Sequence, residues 1–290
     1  MTDFASFARA HGLLIDRLHE SSRIQRCPTE DHPHSKNGAY LFEGDRGWVQ
    51  DWAGDMEIHW WDDPNKKEPT QAQKDEWERR KKAKEEEQVR IWGSACRDAK
   101  ILRSKCVLKE HDYLHRKGLG DIKGLVTPEG ELFVPMHNFR SDELIGYQTI
   151  FWDHDERKWV KKMKFGTRAK GAVLQMGPKH APSDVILCEG YATGLSINKA
   201  MAQLRLPGMV IVCFSAGNII EVASHIKHSR SYIFADNDES KTGEQSALRT
   251  GLAYCMSPVV GEDANDLHVR AGIVPVMDLI METRRKSLAR

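Results

Sequence analysis

The chain has 290 residues, 29% of them charged, with a formal net charge of +1. That length holds one large domain or two to three small ones, and a balance so close to zero makes the distribution of charge the informative quantity. No apolar run reaches the length of a membrane span and the N-terminus lacks a signal-peptide pattern, so an integral membrane protein is excluded as an expectation. Cys27, Cys96, Cys106, Cys188, Cys213 and Cys255 lie far apart with no CxxC pair. They read as reduced thiols of a cytoplasmic protein rather than a disulfide framework.

Residues 1–62 are polar and rich in aromatics. A short helix is expected at 4–11 and a β-hairpin at 38–52, turning at 43–47 where Gly and Asp cluster. Cys27, His32 and His34 invite a zinc reading, with His59 the nearest later candidate. A structural zinc site needs four ligands, usually as two close pairs, so the expectation is a β-rich module without a complete zinc site.

Residues 63–118 read as a helical linker. Asp62, Asp63, Pro64 and Asn65 break the chain, and from Glu68 to about Arg103 no proline follows Pro69. Acids and bases alternate there, with Glu78 and Lys82 at the favourable i,i+4 spacing. Apolar points are sparse: Trp77, Ile91, Trp92, Ala95 and Ala99. That pattern predicts one long, largely solvated helix acting as a spacer. A second helix is expected at 107–116, ending at Lys117 and Gly118.

Residues 119–182 carry short alternating strands, clearest at 132–136 and 145–151, with a turn between them at 138–143. A basic tract follows: Arg157, Lys158, Lys161, Lys162, Lys164, Arg168 and Lys170, with no acid between Glu156 and Asp184. Tyr147, Trp159 and Phe165 are interleaved or close by. Cations with aromatics suit a phosphate backbone and stacked bases; an ordinary solvated hairpin is the plainer reading.

Residues 183–290 read as β-α-β-α-β. Apolar runs at 185–188, 209–214 and 232–235 are separated by helix-like segments, the pattern of buried parallel strands. Right-handed crossovers would lay them in one sheet. A further helix is expected at 244–256, an acidic loop at 258–267, and a closing helix from about Pro275 with a basic tail of Arg284, Arg285, Lys286 and Arg290. The expected fold class is therefore α+β or α/β: a C-terminal parallel sheet preceded by a small mixed β-rich subdomain, a long charged helix and an N-terminal β-rich module.

Two of the apolar runs end on acids, Glu189 followed by Gly190, and Asp236-Asn237-Asp238. Parallel strands deliver both to one sheet edge, where open α/β sheets place their sites. Asp263 adds a fourth carboxylate. Like charges so gathered raise one another's pKa unless a cation intervenes. Mg²⁺ suits an all-oxygen donor set and keeps positions open for phosphate oxygens, as phosphoryl or nucleotidyl transfer requires. Gly190 permits close approach, and Ser215 and Asn218 stand at a helix start that favours anions. Each residue also has a simpler role: an Asx turn at Asp236 to Asp238, caps at Ser215 or Asn218, and capping of a short turn at 267–270 by Asp263 and Asp266.

These residues resemble the Toprim signature, a Glu-Gly after a first strand and an Asp-x-Asp after a later one. Within that class the chain is similar to the DnaG-type primases of bacteria, phages and plasmids. Glu189-Gly190-Tyr191, the small-residue turn from Phe214 to Asn218, the segment from Asp238 through Gly243 to Ala247, and Gly261 to Asp266 carry the likeness. It extends over about residues 110–290 and includes Tyr113, Leu114, Lys117 and Gly118.

The resemblance implies Glu189, Asp236 and Asp238 as catalytic acids, and these with Asp263 as ligands of Mg²⁺ or Mn²⁺. Lys161, Lys162, Lys164, Arg168, Lys170, Gly190, Ser215 and Asn218 become contacts for nucleic acid or nucleoside triphosphate. Single-stranded DNA template, nucleoside triphosphates and an RNA primer are the implied partners, with room for a replicative helicase, in the cytoplasm of a bacterial host. Departures exist. Asn237 stands where a glycine is usual, Glu239 replaces an arginine, and Asn265 occupies the place of an acid, leaving Asp266 one step late. No Walker A loop is present, so no fused helicase is expected. A Toprim nuclease and a non-catalytic DNA-binding protein are the rival readings.

Overall fold

A computed structural model describes residues 3–52, 54, 56–64, 66, 70–228 and 230–288. The expected chain break at Asn65, the residues Glu68 and Pro69, and Arg290 of the basic tail lie outside these. Two compact units are present, Met1–Lys81 and Lys82–Arg290.

In the first unit, α1 (Phe4–Ala10) starts at Asp3, whose side chain accepts the Ser6 N–H at 2.7 Å. Four antiparallel strands follow in spatial and sequence order: β1 (Ser21–Cys27), β2 (Gly38–Phe42), β3 (Arg46–Asp51) and β4 (Ile58–Asp62). The expected hairpin is β2–β3; β1 and β4 extend it on either side. Phe4 packs into a cluster with Tyr40 and Val49, against Phe42 and Trp61. A side chain at Gly47 would place its Cβ 2.4 Å from the Phe4 ring, so only glycine lets the helix lie this close. Cys27 is buried in the same cluster, and burial pushes its thiol up to about 11, away from the thiolate that ligates zinc.

The single long helix expected from the charge pattern is α2 (Gln71–Lys105), which crosses the boundary between the units. Its buried residues are Ala95 and Ala99, one turn apart, and the rest is largely solvated. The helix expected at 107–116 is not what forms. Val107–Lys109 is instead a strand, β5, and only Asp112–Arg116 is helical, α3. Pairing of β5 with β6 (Gly124–Val126) overrides local propensity. His111 then caps α3, its Nδ1 accepting the Tyr113 N–H at 3.2 Å.

The next strands are β7 (Leu132–Asn138), β8 (Leu144–Asp153), β9 (Lys158–Met163) and β10 (Ala172–Met176). Then come β11 (Val185–Cys188), α4 (Tyr191–Gln203), β12 (Met209–Val212), α5 (Ala216–Ala223), β13 (Ser231–Phe234), α6 (Thr242–Thr250), β14 (Ala253–Cys255), α7 (Ala264–Ala271) and α8 (Ile273–Leu288). The helix expected at 244–256 stops at Thr250, because Gly251 takes φ 71° and ends it. The residues after it become β14. The turn expected at 267–270 is part of the full helix α7.

These strands form a ten-stranded sheet ordered β14-β13-β11-β12-β10-β7-β6-β5, with β8 on β7 and β9 on β8. β14, β13, β11 and β12 are parallel, whereas β10 runs antiparallel to β12. That one pairing makes the mixed β-rich subdomain and the parallel sheet continuous. Alternate residues of the parallel strands serve opposite layers. Ile186, Val210 and Tyr232 pack with α4 and α8 residues, and Leu187, Ile211 and Ile233 pack with α5 and α6 residues. Burial on both faces is why each strand is an unbroken apolar run. Each such side chain contributes roughly 1.5–3 kcal/mol by leaving water.

Candidate metal-dependent active site

β11 and β13 are parallel neighbours, with Val185 opposite Ser231 and Leu187 opposite Ile233. Glu189 and Asp236, which follow these strands, therefore emerge at the same end of the sheet. The Phe214 N–H donates to the Glu189 carbonyl at 2.9 Å and fixes the backbone there. Phe214 itself holds φ 65°, a strained value for a bulky residue, at the turn into α5.

Asp236 Oδ1 is buried and has no hydrogen-bond partner. Burial, followed by repulsion from Asp263 and Glu189, pushes this carboxyl up to about 7, while Lys161 opposes the shift. Glu189 is also raised, by burial first and then by Asp238, with Lys161 and the Ala216 N–H opposing. Asp238 behaves differently. Burial would raise it, but hydrogen bonds from the Ser240 hydroxyl and the Gly243 and Thr242 N–H groups outweigh burial and lower it. Its oxygens accept the Thr242 and Gly243 N–H groups at 3.0 Å each. A Cβ at Gly243 would lie 2.3 Å from the Asp236 carbonyl oxygen, so glycine is what lets α6 begin against that backbone.

Asp263 caps α7. Its Oδ1 accepts the N–H groups of Asn265 at 2.7 Å and Asp266 at 2.8 Å, and its Oδ2 accepts the Thr193 hydroxyl at 2.7 Å. Gly190 makes the Thr193 position possible, since a Cβ there would sit 2.8 Å from Thr193 Oγ1. Asp266 completes the capping box and accepts Lys117 Nζ at 3.0 Å. The capping role read for Asp263 and Asp266 is thus present, while Asp263 still acts electrostatically on Asp236 and Glu189.

Glu189 and Asp236 form the crowded centre, and Asp238 and Asp263 flank it in fixed hydrogen-bonded positions. Among the described residues no three Cys, His, Asp or Glu side chains converge closely enough to enclose one ion. The donors nevertheless fit a hard divalent cation. All are carboxylate oxygens, one is orphaned and buried, and burial, followed by repulsion among the acids, makes the two central groups resist ionisation.

The basic tract does not gather in the same way. Lys161 acts electrostatically on Glu189 and Asp236, and Lys162, its neighbour along β9, lies on the opposite face of the strand. Lys164 pairs with Asp98 of α2 at 2.7 Å, the Arg168 guanidinium lies over the Trp92 ring at 5.0 Å, and Lys170 pairs with Glu221 at 3.2 Å. Lys170, Ser215 and Asn218 line one cleft of 580 Å³. Ser215 is the N-cap of α5. Asn218 is 7% exposed; its Nδ2 donates to the carbonyls of Ala172 and Cys213 and its Oδ1 accepts the Gly171 N–H, all at 2.8 Å. Its side chain braces β10 against the turn after β12.

Sequence reasoning gave no role at the acids to Thr193, Tyr113 or Lys117. The Tyr113 hydroxyl is buried without a partner, and burial and then Asp263 push its pKa up. The pair Tyr113 and Lys117 was visible as part of the motif ending at Gly118. Thr193 carried no signal, because a threonine in the first turn of a helix is unremarkable until Asp263 is brought beside it.

Residues 184–273 match the family model described as Toprim domain. They form a Toprim domain. Its first strand, Glu-Gly turn and Asp-x-Asp turn are those expected from the sequence, and its parallel sheet is the expected one. Among solved structures, the chain is similar to the RNA polymerase domain of Mycobacterium tuberculosis primase DnaG, at 17% identity and a TM-score of 0.36, covering 60% of this chain and 62% of that one. It is also similar to Aquifex aeolicus primase (zinc-binding and RNA polymerase domains), at 15% identity and a TM-score of 0.35, covering 52% and 40%. The chain thus spans less than two thirds of the length of either. No curated protein matches it significantly in sequence. Among the described residues no helix is long and apolar enough to cross a membrane.

Proposed function

We propose that the chain is a metal-dependent nucleotidyltransferase of the primase kind, joining nucleoside triphosphates into a short RNA primer on single-stranded DNA. The observation that carries this reading is Asp236, a buried carboxylate with an orphaned oxygen beside Glu189 and in the field of Asp238 and Asp263. Those four residues would hold Mg²⁺ or Mn²⁺. A bound cation supplies charge neutralisation and Lewis acidity at the reacting phosphate.

The chain's own groups do the rest. Lys161 favours the ionised forms of Glu189 and Asp236. The first turn of α6 holds Asp238 in one orientation through two N–H groups. The α5 N-terminus at Ser215 offers positive potential to phosphate oxygens. The reaction is attack of a 3′-hydroxyl on an α-phosphorus with pyrophosphate leaving. It needs positioning and electrostatics rather than a protein nucleophile.

The primase form of the reading is supported by the upstream motif. Lys117 pairs with Asp266, and the Asn265 amide donates to the Lys117 carbonyl at 2.8 Å. Through β10 and β12 the basic subdomain shares a sheet with the acids, so template contacts and chemistry would belong to one rigid frame. The test is incubation of the protein with single-stranded DNA, labelled nucleoside triphosphates and Mg²⁺ or Mn²⁺. Labelled RNA products are expected. DNA fragments without incorporation would make the chain a Toprim nuclease, and DNA binding without either product would make it a binding protein.

A further inference from the structure

We propose that a cleft remote in function from the Toprim acids docks an extended, arginine-bearing segment of another protein. The cleft, of 490 Å³, lies among β5, the β6–β7 turn and the β8–β9 hairpin, and its lining includes Glu110, Asp112, Glu129, Glu131, Trp152 and Trp159. The basic tract in the sequence suggested that Trp159 would stack on nucleic acid. Instead its ring stands in an acidic setting.

Four carboxylates line the cleft, against Lys109 in the lining and the Arg116 guanidinium on the Trp152 ring. Among the described residues Asp112, Glu129 and Glu131 have no cation paired with them, and Glu110 is 3.6 Å from His115. His111 adds no charge. Its Nδ1 accepts the Tyr113 N–H, its Nε2 donates to the Gly130 carbonyl at 3.1 Å, and burial lowers its pKa. A surplus of carboxylates repels a phosphate backbone and attracts a cationic one.

The aromatic wall selects the kind of cation. Trp152 and Trp159 stand edge to face, with centroids 5.5 Å apart at 68°. The Arg116 guanidinium already lies 4.9 Å from the Trp152 ring centre, so this wall accepts a planar cation within the chain itself. The segment is extended because of β5. That strand ends the sheet order, pairs with β6 on one side, and exposes Val107 (57%) and Leu108 (66%) before running into the cleft at Lys109. An edge strand with exposed apolar residues is a template for a further strand. Val107 and Leu108 point to opposite faces of the strand, and Lys109 in the cleft shares the face of Val107. A partner alternating apolar and arginine side chains would cover Leu108 and place its guanidinium groups on the face of Lys109, against the carboxylates.

The test uses the full chain and two synthetic peptides, one alternating valine with arginine and one alternating valine with glutamate. Binding is read by tryptophan fluorescence and titration calorimetry. The arginine peptide is expected to bind saturably and more weakly as salt is raised, and the glutamate peptide is expected not to bind. The double variant Glu129→Lys, Glu131→Lys should weaken the arginine peptide at least about tenfold, with its circular dichroism and melting unchanged. Trp152→Ala, which leaves the carboxylates in place, should also weaken it. Equal affinity for both peptides, or arginine-peptide binding indifferent to both variants, would overturn the proposal. So would binding of oligothymidylate that is lost in Trp152→Ala.

Discussion

The chain concentrates charge twice, and the two concentrations fold in opposite ways. Glu189, Asp236, Asp238 and Asp263 are far apart in sequence, yet they share one electrostatic environment. Lys161, Lys164, Arg168 and Lys170 are close in sequence, yet they engage different partners: the acids, Asp98, Trp92 and Glu221. Parallel strands send their ends to one edge, so distant residues converge. A strand and the loop after it turn successive side chains to different faces, so neighbours diverge. Proximity along the chain is therefore a weaker guide to a site than the position of a residue at a strand end.

The largest expected effect probes the convergent set. Asp236→Asn or Glu189→Gln should lower nucleotide incorporation by roughly a thousandfold or more, with circular dichroism unchanged. Retained incorporation in either variant would break the comparison at its acidic side. Next is Asn218→Ala, which leaves the Ala172 and Cys213 carbonyls and the Gly171 N–H without their partner. A loss of about 2–3 kcal/mol in denaturant unfolding is expected, together with loosening of β10.

The raised Asp236 carboxyl makes a prediction about pH. In the folded, metal-free protein it keeps its proton to about pH 7, whereas its ordinary value is 3.8. Between these values folding takes up a proton, so stability falls as pH rises toward 7 and stays low above it. Asp236→Asn should flatten that slope and be the more stable protein at pH 8 without metal, by roughly 1–3 kcal/mol. Thermal melting across pH 4–8 reads this directly; parallel profiles for the two proteins would contradict it.

Lys161→Ala should reduce incorporation by about tenfold. It should also move the acid limb of the pH–rate profile upward, because the cation that favours ionised Glu189 and Asp236 is gone. Lys162→Ala should do neither, and equal effects would show that the two faces of β9 are not distinct. The smallest effect is Lys164→Ala. It removes a half-exposed pair with Asp98 and should cost less than about 1 kcal/mol by denaturant unfolding.

Much of this was legible in the sequence. The unbroken apolar runs at 185–188 and 232–235 gave buried parallel strands, and the acids after them act electrostatically on one another. The hairpin at 38–52 and the long charged helix were equally plain. What was hidden depended on partners far along the chain. Val107–Lys109 has no strand character until β6 lies beside it, and 253–255 is separated from the preceding helix only by the left-handed turn at Gly251. Asn218 looked like an anion contact because it opens a helix, but its three hydrogen bonds reach residues on β10, in the loop before it, and after β12. Lys164 and Lys170 looked free because Asp98 and Glu221 are distant in sequence.

The central claim is that the sheet end at Glu189 and Asp236 takes a divalent cation. Calorimetric titration of Mn²⁺ at pH 8 tests it without relying on catalysis. The parent protein and Lys164→Ala should bind alike, and Asp236→Asn should bind at least about tenfold more weakly. Mn²⁺ binding that is the same in the parent and in Asp236→Asn would contradict it.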